Sequence, residues 1–170
     1  MTDGMSRASD AAFGADLHYG REGERWLEAW VRARSPSSSI YVPPQLWRTS
    51  HAEYWTGSDG GVDRRIDGVP VAVTRARRWS GETLASYPGE ELLLKNERHL
   101  RARRGEQGWV DWVVIVNDPL TAGVAVPASE DARRYWSLRP LRPRGDQTER
   151  LVYFAPLSLA LPLEVLLTAW

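Results

Sequence analysis

Arg75, Arg77 and Arg78 run directly into Trp79, and Arg98, Arg101, Arg103 and Arg104 crowd a second stretch. A guanidinium beside an aromatic ring suits phosphates and stacked bases. Arg75, Arg77, Arg78, Trp79, Arg101, Arg103 and Arg104 are therefore the nucleic-acid-binding set that the residue types imply. A solvated basic face, with cations offsetting the C-terminal end of a helix, is the plainer reading of the second group. Two acids stand out for another reason, their placement. On a helix beginning near Gly20 each residue turns by about 100°, which brings Glu24 almost into line with Leu27 and Val31, at the edge of the apolar stripe. Asp63 precedes Asp67-Gly68, a two-residue hairpin signal between apolar β-formers.

The hairpin geometry assigns faces. With Asp67 and Gly68 in the loop, Ile66 opposes Val69, Arg64 opposes Val71 and Asp63 opposes Ala72. Asp63, Ala72 and Thr74 then share one face. Val62, Ile66, Val69, Val71 and Val73 take the other, which is apolar apart from Arg64 and is the core side. Simpler roles exist for both acids: Glu24 as a first-turn carboxylate favoured by the helix dipole, and Asp63 as the ion-pair partner of a nearby arginine.

Other chemistries are closed off. The chain has no cysteine, so disulfides, thiolate nucleophiles and cysteine zinc sites are excluded. His18, His51 and His99 show no ligand spacing. Gly57-Ser58-Asp59-Gly60-Gly61 lacks the lysine of a phosphate-binding P-loop and does not lie between a strand and a helix, which leaves a loop leading into the Asp63 strand.

The elements that must position these groups follow from periodicity and breakers. Residues 1–16 mix Ser, Ala, Gly and Asp and read as a loose leader. Residues 17–170 read as a single α/β domain, a size that buries one continuous core. Gly20 to Arg34 is a helix, with Trp26, Leu27, Trp30 and Val31 at helical spacing; Ile40 to Val42 is a short strand closed by Pro43 and Pro44. The hairpin over Val62 to Trp79 follows, then a helix from Leu92 to Arg104, a strand from Val110 to Val116 and another from Gly123 to Val126. A short helix from Glu130 to Trp136, an extended surface loop from Arg139 to Arg144 and a last strand from Leu151 to Phe154 complete the layout. The oily run from Leu157 to Trp170 is a short core helix or a partner surface. The order is that of a central mixed sheet flanked by helices.

Net charge is zero, so any attraction to nucleic acid must come from local patches. Lys95 is the only lysine; the arginine excess fits phosphate recognition, and it equally fits a coding sequence rich in G and C. Nine tryptophans are many for this length. Trp26 and Trp30 read as core, Trp109 and Trp112 as the ends of a buried strand, and Trp47, Trp55 and Trp136 as candidates for an interface. The absence of cysteine, of an apolar signal core and of a membrane-length apolar run points to a cytoplasmic setting with no membrane partner.

Over residues 17–126 this pattern resembles the PD-(D/E)XK nuclease superfamily, also called the restriction-endonuclease-like fold. In that family a helix carries an acid in a Gly-x-x-Gly-Glu-like setting, matched here by Gly20-Arg21-Glu22-Gly23-Glu24, and an Asp stands on the first hairpin strand, matched by Asp63. The resemblance implies an αβββαβ-type core and a Mg²⁺ cofactor held by Glu24 and Asp63 if the site is active, and none otherwise. The family's Glu-x-Lys falls on Ala72-Val73-Thr74, so Ala72 supplies no ligand and Thr74 no charge. Glu24, Asp63, Thr74 and Lys95 are the catalytic positions to inspect, with Glu90, Glu91, Arg75 and Arg77 as further groups from which another element would make good the loss.

Three functions stay open. The first is a nuclease fold with a degraded active site that binds nucleic acid or a nucleic-acid-processing partner. The second is an active metal-dependent nuclease with migrated catalytic residues. The third is an adaptor that keeps the fold for assembly with a protein partner or with itself.

Overall fold

The computed structural model describes residues 2–43, 62–95, 100, 108–141 and 150–168. The fold is mixed α/β. Helix α1 (Thr2–Arg34) leads into β1 (Ile40–Tyr41), the hairpin of β2 (Arg64–Ile66) and β3 (Val69–Ala76), and then β4 (Glu91–Leu93). Strands β5 (Trp112–Asn117) and β6 (Gly123–Pro127) precede the single turn of α2 (Glu130–Arg133), followed by β7 (Ser137–Leu141) and β8 (Arg150–Pro156). Strand β9 (Leu161–Pro162) and the short α3 (Val165–Thr168) end the described chain. Six strands form one sheet in the order β1-β2-β3-β5-β6-β9, in which only β3 and β5 run parallel; β4-β8-β7 form a second, antiparallel sheet.

The β2–β3 hairpin has the expected register, Ile66 opposite Val69 and Arg64 opposite Val71. Asp67 and Gly68 both adopt positive φ, at 49° and 83°, the left-handed pair that a right-twisted two-residue hairpin requires. The side chain and backbone of Asp67 also bind Ser39, which fixes β1 alongside.

Two apolar layers cover the six-stranded sheet. Leu27 and Val31 of α1 pack with Ile66, Val71, Val73, Val114 and Val116 on one face, joined by Leu163 and Leu166 from the chain's end. Within the final apolar run Leu163 and Leu166 are core, while Leu161, Glu164 and Thr168 are exposed. On the other face Ala72, Val113, Ile115 and Val126 meet Trp79, Leu92, Leu94 and Ala155, so the second sheet is the covering layer there. Burial of this kind contributes roughly 1.5–3 kcal/mol for each large aliphatic side chain.

Several expectations are corrected. The segment read as a loose leader is helical from Thr2 onward. Once the amphipathic segment has nucleated the helix, each added residue costs little, and Ala8, Ala11, Ala12 and Ala15 favour extension. The helix expected from Leu92 begins instead as β4: Leu92 and Leu94 are buried with Leu93 between them, a period of two that suits docking on a sheet. Only Leu100 of the rest of that helix is described together with Leu94 and Lys95; residues 96–99 and 101–107 lie outside the described residues. Val62 joins Ala72 rather than Ile66, because the chain bends at Asp63 before β2 begins. Residues 137–141 pair with β8 as an edge strand instead of forming a surface loop, and Pro140 is tolerated at the edge. Among the described residues no helix is long and apolar enough to cross a membrane.

Candidate functional site

Glu24 is placed by a close approach of α1 to β3. At Gly23 an added Cβ would meet the Cβ of Arg75 at 3.4 Å and a methyl of Val73 at 3.7 Å. A small residue at this position suits the approach of the helix to the strand, and the next residue, Glu24, faces the start of β2.

Asp63 is placed by the end of strand pairing. Its N–H still donates to the carbonyl of Val71 at 2.9 Å, but beyond that point β2 has bent away from β3. The N–H of Val73 donates instead to Oδ2 of Asp63, at 2.7 Å. The carboxylate therefore replaces the missing strand partner, which holds it rigidly at the fork.

Lys95 arrives from the second sheet. Its Nζ donates to the same Oδ2 of Asp63 at 2.7 Å. The lysine's backbone extends the β4–β8 ladder: Leu94 donates to the carbonyl of Tyr153 at 2.9 Å, and Tyr153 donates to the carbonyl of Lys95 at 3.0 Å. Thr74 adds a cross-sheet tie, its hydroxyl donating to the carbonyl of Leu94 at 3.3 Å. Tyr153 is in turn wedged between Trp109 and Trp136, which gives the lysine-bearing segment a firm base.

The side chains of Glu24, Asp63 and Lys95 are 11%, 11% and 18% exposed, a setting in which charges interact strongly. Burial, the neighbouring Asp63 charge and a hydrogen bond to Asp63 push Glu24 well above the usual carboxyl range, against the pull of Arg64 and Lys95. Burial alone would raise Asp63 too, but Lys95, the bond from Glu24 and the Val73 N–H together hold it below its ordinary value. Of the two acids, Glu24 is thus the one whose environment favours the protonated form and Asp63 the one whose environment favours the carboxylate.

Compared with protein-family models, curated proteins and solved structures, the chain matches nothing in any of the three. The site's chemistry therefore rests on its own geometry.

A divalent cation fits that geometry. Oε2 of Glu24 is buried and accepts no hydrogen bond, an orphaned oxygen beside a second carboxylate. Replacing the Glu24 proton by a cation would satisfy it, with Glu24 and Asp63 as the protein ligands. Among the described residues no third acid or histidine completes a ligand cluster.

The other expected site residues separate. Ala72 is fully buried in the core and contributes only a methyl group. Glu91 binds Ser137 and Arg139 on the second sheet, away from Asp63. Arg75 points to the α1 side of the sheet, where its guanidinium donates to the carbonyl of Asp118 and pairs with Glu22. Arg75 and Arg77 both lie over the ring of Tyr19, at 4.0 and 3.8 Å from its centroid. Tyr19 hydrogen-bonds Asp118, and that bond together with burial raises its phenol to about 12.

Trp79, assigned to nucleic-acid contact on sequence, is only 1% exposed; it fills the core and donates its indole N–H to Thr83 and Ser86. Of that set, Arg77 and Arg78 are exposed, and Arg101, Arg103 and Arg104 lie outside the described residues, as do Trp47 and Trp55. Trp136 is half-buried against Trp109. The residue that sequence reasoning passed over is Arg64, whose one signal was a charge on an otherwise apolar strand face.

Proposed function

We propose that this chain is a divalent-metal-dependent phosphodiester hydrolase acting on nucleic acid, a divergent relative of the PD-(D/E)XK nucleases in which the lysine has moved from β3 to the segment after β4. The observation that carries the reading is the 2.7 Å contact of Lys95 with Asp63, made next to the carboxyl of Glu24 and beside Thr74, the position where the resemblance would put a lysine.

Glu24 and Asp63 would hold Mg²⁺, which in such a site supplies charge stabilisation at the phosphoryl oxygens and a more acidic water. The chain's own contribution is positional. Asp63 is locked by the Val73 N–H, Lys95 presents an ammonium within reach of the same carboxylate, and these groups are mostly buried where the two sheets meet. Arg77 and Arg78, exposed at the turn after β3, supply charge for neighbouring phosphates.

A second reading, nucleic-acid binding without cleavage, is favoured by Ala72, which leaves the site with two carboxylates among the described residues. Incubation of the purified chain with linear, circular and branched DNA and with RNA, in Mg²⁺ or Mn²⁺, separates the two. Cleavage that disappears in Asp63→Asn supports the hydrolase. Salt-sensitive binding with no cleavage supports the second reading, and neither result leaves no basis for either.

A further inference from the structure

We propose that Arg64 is the positioning residue that sets Glu24 against Asp63 for cation binding, a role that rests on the metal-site reading above. Its guanidinium reaches the carboxyl of Glu24 on α1 and the backbone of Asp63 at the start of β2. It donates to the backbone carbonyl of Asp63 at 2.6 Å and stands 3.6 Å from Oε2 of Glu24, the same oxygen that accepts no hydrogen bond. One helical turn further along α1, Glu28 anchors the fork at 3.4 Å, and Glu28 is itself tied to Arg32 at 2.8 Å.

Folding by itself does not explain an arginine here. Arg64 is 3% exposed on the strand face whose other members, Ile66, Val71 and Val73, belong to the apolar layer beneath α1. Buried ion pairs are commonly replaced by well-packed apolar residues with no loss of stability, so a methionine or leucine would serve the core as well. What an apolar residue lacks is a rigid planar cation bridging Glu24, Glu28 and the Asp63 backbone. Without it the Glu24 carboxyl is free to rotate away, and cation binding must order it again. Groups that orient metal ligands typically change metal affinity by about 10–100-fold when removed.

Calorimetric titration of the full chain with Mn²⁺, alongside thermal unfolding of the metal-free protein, tests the assignment in wild type, Arg64→Met, Arg64→Lys and Glu28→Gln. The expected result is Mn²⁺ affinity at least about tenfold weaker in Arg64→Met, a smaller loss in Arg64→Lys and in Glu28→Gln, which loosens the anchor of the fork, and melting temperatures that do not follow this order. Wild type that binds and Arg64→Met that binds equally well overturns the role of Arg64 while leaving the metal site standing. Wild type that binds no Mn²⁺ sinks the metal site and the positioning role with it. If Arg64→Met does not fold, the assumption that an apolar residue suffices is wrong, and Arg64→Lys and Arg64→Gln carry the comparison: wild-type affinity in both overturns the proposal.

Discussion

The hydroxyl of Thr74 donates to the carbonyl of Leu94 at 3.3 Å, so the strand position that lacks a cation is bonded to the residue preceding the one that carries it. Thr74 belongs to the six-stranded sheet and Leu94 to the segment that pairs with β8, so this bond also ties the two sheets together at the site. On the proposed hydrolase reading, that proximity lets either position carry the ammonium.

If the ammonium matters and its parent strand does not, Lys95→Ala should lower cleavage by about 100-fold or more, the loss typical of removing one fixed electrostatic group. The double variant Thr74→Lys, Lys95→Ala should recover most of that loss. Single-turnover rates on one DNA substrate make the comparison, and a double variant no better than Lys95→Ala would refute exchangeability.

Glu24 imposes a pH dependence on the metal-free fold. Its folded carboxyl is raised above the ordinary 4.5, so the native state holds a proton that the unfolded chain releases. The stability it contributes is full below 4.5 and is lost as pH rises through the raised value. Asp63 has the opposite sign: lowered from 3.8, it adds stability above that pH which is lost as acid protonates the folded carboxylate. Urea unfolding in chelator from about pH 4 to about pH 9 should show a decline toward alkaline pH that Glu24→Gln removes, since the amide still donates to Asp63 but cannot ionise. An unchanged decline in Glu24→Gln would place its origin elsewhere.

Gly23 should accept one methyl and no more. The 3.4 Å to the Cβ of Arg75 is ordinary contact, so Gly23→Ala keeps the packing and gains helix propensity, up to about 1 kcal/mol. Gly23→Leu forces α1 off β3 at a cost of roughly 1–3 kcal/mol and carries Glu24 away from Asp63. Denaturant midpoints and Mn²⁺ affinity should therefore fall together in the leucine variant, and a leucine variant with normal affinity would contradict the placement.

The arginines after β3 and the tryptophan beside them should behave differently. Arg77→Gln with Arg78→Gln should cost about 1 kcal/mol of stability through the lost contact of Arg77 with Tyr19, and reduce the salt slope of DNA binding by about 0.9 for each phosphate that is no longer neutralised. Trp79→Ala should instead cost about 3–5 kcal/mol of folding stability, because it empties the centre of the core. Equal salt slopes in wild type and the double glutamine variant would remove these arginines from any nucleic-acid surface.

Local chemistry was readable without coordinates wherever a short span carried its own constraint. Asp67-Gly68 specified the hairpin and its register because few residue pairs tolerate two positive φ angles, and the spacing of Glu24, Leu27 and Val31 placed the acid beside the core by helical geometry alone. The same logic failed at Leu92 to Leu94, whose unbroken apolar run is compatible with a helix or a strand until a partner strand chooses. It failed at Trp79 too, since an aromatic after three arginines reads as surface when the burying sheet is unseen. The meeting of Lys95 with Asp63, thirty-two residues apart, was decided only by tertiary structure. One group is held where β2 leaves β3 and the other where β4 joins β8, and the distance between two separately hydrogen-bonded sheets is set by the core packed between them, not by any local rule of the chain.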